Sequence, residues 1–187
     1  MAIADEDRKT LLDLARESVA ATVEGLMPPP TPKPEGTLAV QRGCFVTLTN
    51  HGMLRGCIGT FLPQKALPAQ IIEMAAAAAR DFRFAGNPVT PSEVKDLTIG
   101  ISVLSELEPI DDPLDIELGV HGIYITRGGA SGCFLPEVAT ETGWSKEEFL
   151  THCCAGKAGM DPDAWRDPAT KVFTFTTEKF SGDGRTR

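Results

Sequence analysis

The stretch Leu54-Arg55-Gly56-Cys57-Ile58-Gly59-Thr60-Phe61 places a thiol between two glycines inside a strand-like run. Glycine in a strand interior weakens it and marks a bulge or a close backbone approach. Strict alternation would turn Leu54 and Ile58 to the core and gather Arg55, Cys57 and Gly59 on the opposite face. An arginine beside a thiol favours the thiolate, the nucleophilic form, and Gly59 would leave room for a ligand. The plainer reading makes Cys57 a small buried hydrophobe, because free cysteine is among the most buried residue types. A bulge at Gly56 would break the parity on which the shared face depends, so on spacing alone the plainer reading carries more weight.

Other side chains offer chemistry with a bland counterpart beside it. Asp81 and Arg83 follow an alanine-rich run and suit either ligand binding near Cys57 or an ion pair that anchors a loop. His121 shares parity with Ile123 and Ile125, which favours a core-edge histidine satisfied by backbone. Its alternative is a general base, since histidine titrates near neutral pH and can activate a thiol. Lys157 would hold an anion, or would simply satisfy the carbonyls at a helix C-terminus. Gly156-Lys157 lacks the glycine-rich lead of a phosphate loop. His152, Cys153 and Cys154 invite a metal reading with His51 or Cys133. Adjacent helical residues point about 100° apart, and no pair has metal-ligand spacing, so neither metal nor cofactor is expected.

The elements that must position these groups are legible in outline. Asp5 to Gly25 reads as an amphipathic helix with Leu11, Leu14, Ala15, Val19, Val23 and Leu26 on one face. Residues 27–36 form a proline-rich connection, in which Pro28, Pro29, Pro30 and Pro32 predict an extended, stiff spacer. A ligand for a partner's aromatic groove is its sharper alternative. Cys44–Thr49 and Met53–Phe61 flank Asn50-His51-Gly52 as a hairpin. Pro68 starts a helix running through Ala75–Ala79 to Asp81, and Thr90-Pro91-Ser92-Glu93 has capping-box spacing. Leu97–Leu104 alternates as a half-buried strand. His121–Thr126 and Gly132–Leu135 form a second hairpin across Gly128-Gly129.

Ser145 and Glu148 cap a helix predicted to run to Ala155 and stop at Gly156, with Trp144 stapled on Phe149. Lys171–Thr177 closes the fold, with Phe173 and Phe175 on one face. Helices and strands mix without a βαβ rhythm. The class is therefore α+β, an antiparallel or mixed sheet flanked by helices.

Composition limits the partners. Against 26 acidic residues stand 18 basic ones, a net charge of −8, and nucleic acid or anionic membrane needs a positive field. The chain of 187 residues suits one domain of ~100–200 residues. Its acidic start, Met1 to Asp7, is unlike a signal peptide, and no apolar run approaches the ~18–20 residues of a membrane span. Five cysteines with no CxxC spacing fit free thiols in a reducing cytosol, so a cytoplasmic location is expected.

Leu54-Arg55-Gly56-Cys57-Ile58-Gly59-Thr60 resembles the signature of the AMMECR family, whose bacterial and archaeal members are also called AmmeMemoRadiSam system protein A. The likeness continues through Ala78–Phe84, Ile101–Leu104, Gly119–Ile123, Phe134–Val138 and Lys157-Ala158-Gly159. Departures fall at Phe82, at Ala85-Gly86-Asn87 and at Glu137, where the family often has glutamine. The resemblance implies one domain over residues 1–180, an α+β fold with a larger and a smaller lobe, and the motif beside a cleft. Residues 181–187 are left as a polar tail. It also implies a pathway or complex shared with Memo-like and radical-SAM-like proteins, while the family's biochemical activity is unsettled.

The resulting expectation is a cytosolic enzyme of unassigned reaction. Cys57 and His121 would be catalytic, and Arg55, Gly56, Gly59, Asp81, Arg83 and Lys157 would bind a small polar or anionic substrate. The competing expectation is a non-catalytic protein-interaction module. A nucleic-acid-associated factor is the weakest, and the oligomeric state is left open.

Overall fold

The computed structural model describes residues 2–183. In chain order its elements are α1 (Asp5–Glu24), β1 (Cys44–Asn50), β2 (Met53–Thr60), α2 (Leu67–Ala79), β3 (Leu97–Leu104), β4 (Glu108–Ile110), β5 (Gly122–Arg127), β6 (Ala130–Phe134), α3 (Pro136–Thr142), α4 (Lys146–Cys153), β7 (Lys171–Phe175) and β8 (Thr177–Asp183). The fold is α+β with two antiparallel four-stranded sheets, ordered β2-β1-β3-β8 and β4-β7-β5-β6. The chain divides into two compact units. One spans the residues up to Leu104 together with those from Glu178, and the other is Ser105–Thr177.

The first unit is built on β1 and β3, whose alternation buries Cys44, Val46 and Leu48 with Leu97, Ile99, Ile101 and Val103. Helices α1 and α2 cover that face with Leu11, Ala15, Val19, Ile71, Ala75 and Ala78. The alanines of α2 contribute little bulk, which lets the helix lie close to the strands. Ser18, buried in α1, donates its hydroxyl to the Ile72 carbonyl at 2.7 Å. Arg16 donates to the carbonyls of Val94, Leu97 and Gly182, each at 3.1 Å, and so ties α1 to β3 and β8. The β1–β2 turn is tight because His51 (φ 47°) and Gly52 (φ 80°) both adopt left-handed backbone.

The second unit packs Ile123, Ile125, Phe149, Leu150, Trp165 and Val172 into its own core. Ser145 and Glu148 make both bonds of the expected capping box, at 3.2 and 2.8 Å. Trp144 stacks on His152 at 4.1 Å and meets Phe134, which in turn stacks on Phe149.

Several expectations are corrected. Leu26 lies beyond α1 and is exposed, because Gly25 (φ 70°) ends the helix before it. The chain after α2 leaves helix at Arg80, so Asp81 caps a short 3-10 turn over Phe82–Phe84. Gly156 does not stop α4. The chain runs on as a π-helical turn over Cys154–Ala158 until Gly159 (φ 65°) ends it. Ser181–Asp183, expected in a tail, belong to β8, and residues 184–187 of that tail lie outside the described residues. The helix α3 and the strands β4 and β8 carried no distinct sequence signal.

Candidate functional site

Strand β2 lies at the edge of its sheet. Against β1 its register places Ile58 opposite Val46, Cys57 opposite Thr47, Gly56 opposite Leu48, and Leu54 opposite Thr49. Arg55 is therefore the extra residue of a bulge, with no opposite number of its own. That bulge overturns the predicted shared face. Cys57 stands with Thr47 on the face away from the buried Val46 and Leu48, whereas Arg55 is itself buried. Leu54, expected in the core, is exposed.

Arg55 is engaged elsewhere. Its Nε donates to Glu93 Oε1 at 2.6 Å and its Nη2 to Glu93 Oε2 at 3.1 Å. Nη2 also reaches the Pro88 carbonyl at 3.2 Å, and Asn50 Nδ2 donates to Glu93 at 2.9 Å. The Arg55 guanidinium holds the Glu93 carboxyl down to about 2, against the burial that would raise it. This cluster joins the hairpin to the segment before β3. It is a different job from tuning the thiol.

Asp81 and Arg83 meet Cys57 through its backbone. Asp81 Oδ2 accepts the Cys57 N–H at 3.0 Å, and Arg83 Nη2 donates to the Cys57 carbonyl at 3.0 Å. The two side chains bond each other, with Arg83 Nε to Asp81 Oδ1 at 2.9 Å. An edge strand leaves alternate backbone groups without partners. Here an ion pair fills the place of a neighbouring strand at one residue. The Asp81 side chain is fully buried and the Arg83 side chain is 48% exposed. The Arg83 guanidinium holds the Asp81 carboxyl down to about 2, helped by the Cys57 N–H and opposed by burial.

The sulfur of Cys57 accepts a hydrogen bond from the Thr47 hydroxyl at 3.3 Å. Cys57 is half-buried, as is Cys133, while Cys44, Cys153 and Cys154 are buried. Burial pushes the Cys44 thiol up to about 12 and that of Cys133 up to about 11, and it raises those of Cys153 and Cys154 as well.

The glycines of the motif have steric roles. A Cβ on Gly56 would lie 2.0 Å from the Ala78 carbonyl oxygen, so this glycine is what lets α2 pack against β2. A Cβ on Gly59 would meet the Phe45 ring at 2.3 Å and the Cys44 carbonyl at 2.4 Å, so the space beside Gly59 is filled by the protein rather than left for a ligand.

His121 and Lys157 lie in the second unit. His121 Nδ1 accepts the Glu117 N–H at 3.1 Å, the backbone-satisfied arrangement expected of a core-edge histidine. Lys157 sits in the π-helical turn with Nζ 5.6 Å from the Phe134 ring centroid. Among the described residues no group of three or more His, Cys, Asp or Glu is arranged to hold a metal ion. No helix among them is long and apolar enough to cross a membrane.

Thr47 and Glu93 went unrecognised as site residues. Counting outward from the two-residue turn pairs Thr47 with Gly56, and only the bulge at Arg55 shifts it to Cys57. Glu93 was visible as a cap, but nothing in the local sequence links it to an arginine far along the chain.

An α+β protein with a half-buried thiol on a clamped edge strand is the class that fold and site define. The chain belongs to the AMMECR1 family, whose model matches residues 12–180. It is similar to a protein of Methanothermobacter thermautotrophicus, 41% identical over 96% of both chains. Protein TK0174 of Thermococcus kodakarensis is likewise 41% identical, over 95% of this chain and 91% of its own. Among solved structures it resembles the uncharacterized protein PH0010 from Pyrococcus horikoshii, with a TM-score of 0.84 and 37% identity, covering 96% of this chain and 93% of that one.

Proposed function

We propose that the protein works through the Cys57 thiol, on a small polar or anionic substrate bound at the face of β1 and β2 that carries Thr47. The observation that carries this reading is the setting of the Cys57 sulfur, half-buried on the face away from Val46 and Leu48 and accepting from the Thr47 hydroxyl at 3.3 Å. A hydroxyl that donates to sulfur holds the side chain in place, and the bond strengthens when the sulfur carries negative charge. The half-exposed Arg83 guanidinium, fixed on the Cys57 carbonyl and paired with Asp81, presents its remaining N–H groups as hydrogen-bond donors for an anionic group. Arg55 has no part in this scheme, because Glu93 occupies it.

The test is site-resolved alkylation of the native protein with iodoacetamide. Cys57 is expected to react first, the half-buried Cys133 more slowly, and the buried Cys44, Cys153 and Cys154 only on unfolding. Thr47→Val is expected to change the Cys57 rate without changing the order. If Cys57 stays inert until the protein unfolds, the thiol reading fails.

A second reading, a protein-interaction module, draws on a separate observation. Phe82, between the two clamp residues, is 81% exposed, and Met53 on β2 is 70% exposed. Exposed apolar side chains mark an interaction site where they join into a contiguous patch. A Memo-like or radical-SAM-like protein is the partner that the family resemblance suggests. Phe82→Ser would weaken such a complex and leave Cys57 alkylation unchanged, so the two readings separate.

A further inference from the structure

A cavity of about 400 Å³ opens in the first unit where the last turns of α1 and α2 come together. Its volume lies in the ~300–1,000 Å³ range of small-ligand sites, which are mostly apolar with a few polar groups that fix orientation. The apolar lining comes from Val23, Ala79, Phe84, Ala85, Pro88 and Val89. Thr22 and two charged residues, Arg80 and Asp81, complete it. The two charged residues differ in what they have left to offer.

Asp81 is saturated, with both oxygens bonded to Arg83 and one also accepting the Cys57 N–H. Its charge is cancelled by Arg83 at the same place. Among the described residues Arg80 makes no ion pair, and its one side-chain hydrogen bond, to the Thr22 carbonyl, is long at 3.4 Å. A guanidinium has five donors in a fixed fork that suits a carboxylate, so most of its capacity is unused. The local balance is one uncompensated positive charge beside an apolar hollow.

We propose that this cavity binds a small carboxylate with an apolar body, its head group on the Arg80 guanidinium and its body against Val23, Phe84 and Val89. The site is separate from the Cys57 sulfur and does not depend on whether that thiol reacts.

Titration calorimetry of the full chain with sodium octanoate at neutral pH tests it, with octanol as the uncharged probe. Octanoate is expected to bind saturably at one site and to shift the backbone amide signals of Phe84 and Val89. Octanol and the Arg80→Gln variant should each bind about ten-fold or more weakly, the loss expected for one charge-assisted hydrogen bond. Ala85→Trp should fill the cavity and abolish binding. Both altered side chains are exposed, so the thermal midpoints should match the wild type. The absence of saturable octanoate binding overturns the proposal. So does octanol binding as tightly as octanoate, or either variant binding octanoate as tightly as the wild type.

Discussion

At the scale of single residues, the clamp on Cys57 predicts an asymmetry. Arg83→Ala leaves the fully buried Asp81 carboxylate without its counter-charge, and the cost approaches the ~3–5 kcal/mol of a broken buried pair, reduced because the arginine side is open to water. Asp81→Asn keeps an acceptor for the Cys57 N–H and releases a half-exposed arginine to water, so its cost is about 1–3 kcal/mol. Chemical denaturation of the two variants should therefore rank Arg83→Ala as the more damaging. The carboxylates also set the response to acid. Asp81 and Glu93 are each held at about 2, below ordinary values of 3.8 and 4.5. The unfolded chain takes up these protons first as pH falls, so the stability they provide is present above about pH 4.5 and lost towards pH 2. Asp81→Asn with Glu93→Gln should flatten the fall in thermal midpoint across that window. A double variant as acid-sensitive as the wild type would contradict the assignment.

At the scale of elements, the motif is a packing device as well as a carrier of the thiol. Gly56→Ala drives a Cβ against a backbone carbonyl of α2, which no rotamer change relieves. A loss of about 3 kcal/mol is expected, the upper end for overpacking. Gly100→Ala on β3 is the matched control, since its nearest neighbour would be Thr47 at 3.9 Å, and its thermal midpoint should stay close to that of the wild type. Much at this scale was legible in the sequence. The start of α1, both hairpin turns, the full span Leu97–Leu104 and the Ser145 cap follow from local periodicity and local hydrogen bonding, which a few neighbouring residues settle among themselves. The end of α4 was misplaced because Gly156 is permissive without being decisive. There β6 approaches so closely that a Cβ on Gly132 would lie 2.6 Å from the Ala158 nitrogen, and the π turn is what runs past it.

At the scale of the whole molecule, the first unit is discontinuous and is completed by the C-terminal strand. Glu178 accepts the Ile3 N–H at 2.9 Å and pairs with Arg8 at 2.8 Å, while Gly182 accepts from Arg16. Ending the chain at Thr177 removes these partners along with a sheet strand. The truncated protein is expected to lose its cooperative thermal transition or to melt well below the full chain, as measured by circular dichroism. The net charge of −8 predicts no retention of duplex DNA at physiological salt, since nonspecific binding rests on neutralised phosphates.

By itself the sequence determined the α+β class, the positions of most elements and the acidic character, because each depends on composition or on near neighbours. It also singled out the glycine-flanked thiol. Only the tertiary structure decided what surrounds that thiol. A one-residue bulge at Arg55 shifted the register, sent the arginine to Glu93, brought Thr47 to the sulfur and left Asp81 and Arg83 to close the strand edge. Such partners are chosen by strand pairing and by the need to satisfy buried charge across long stretches of chain, and neither constraint is written in local spacing.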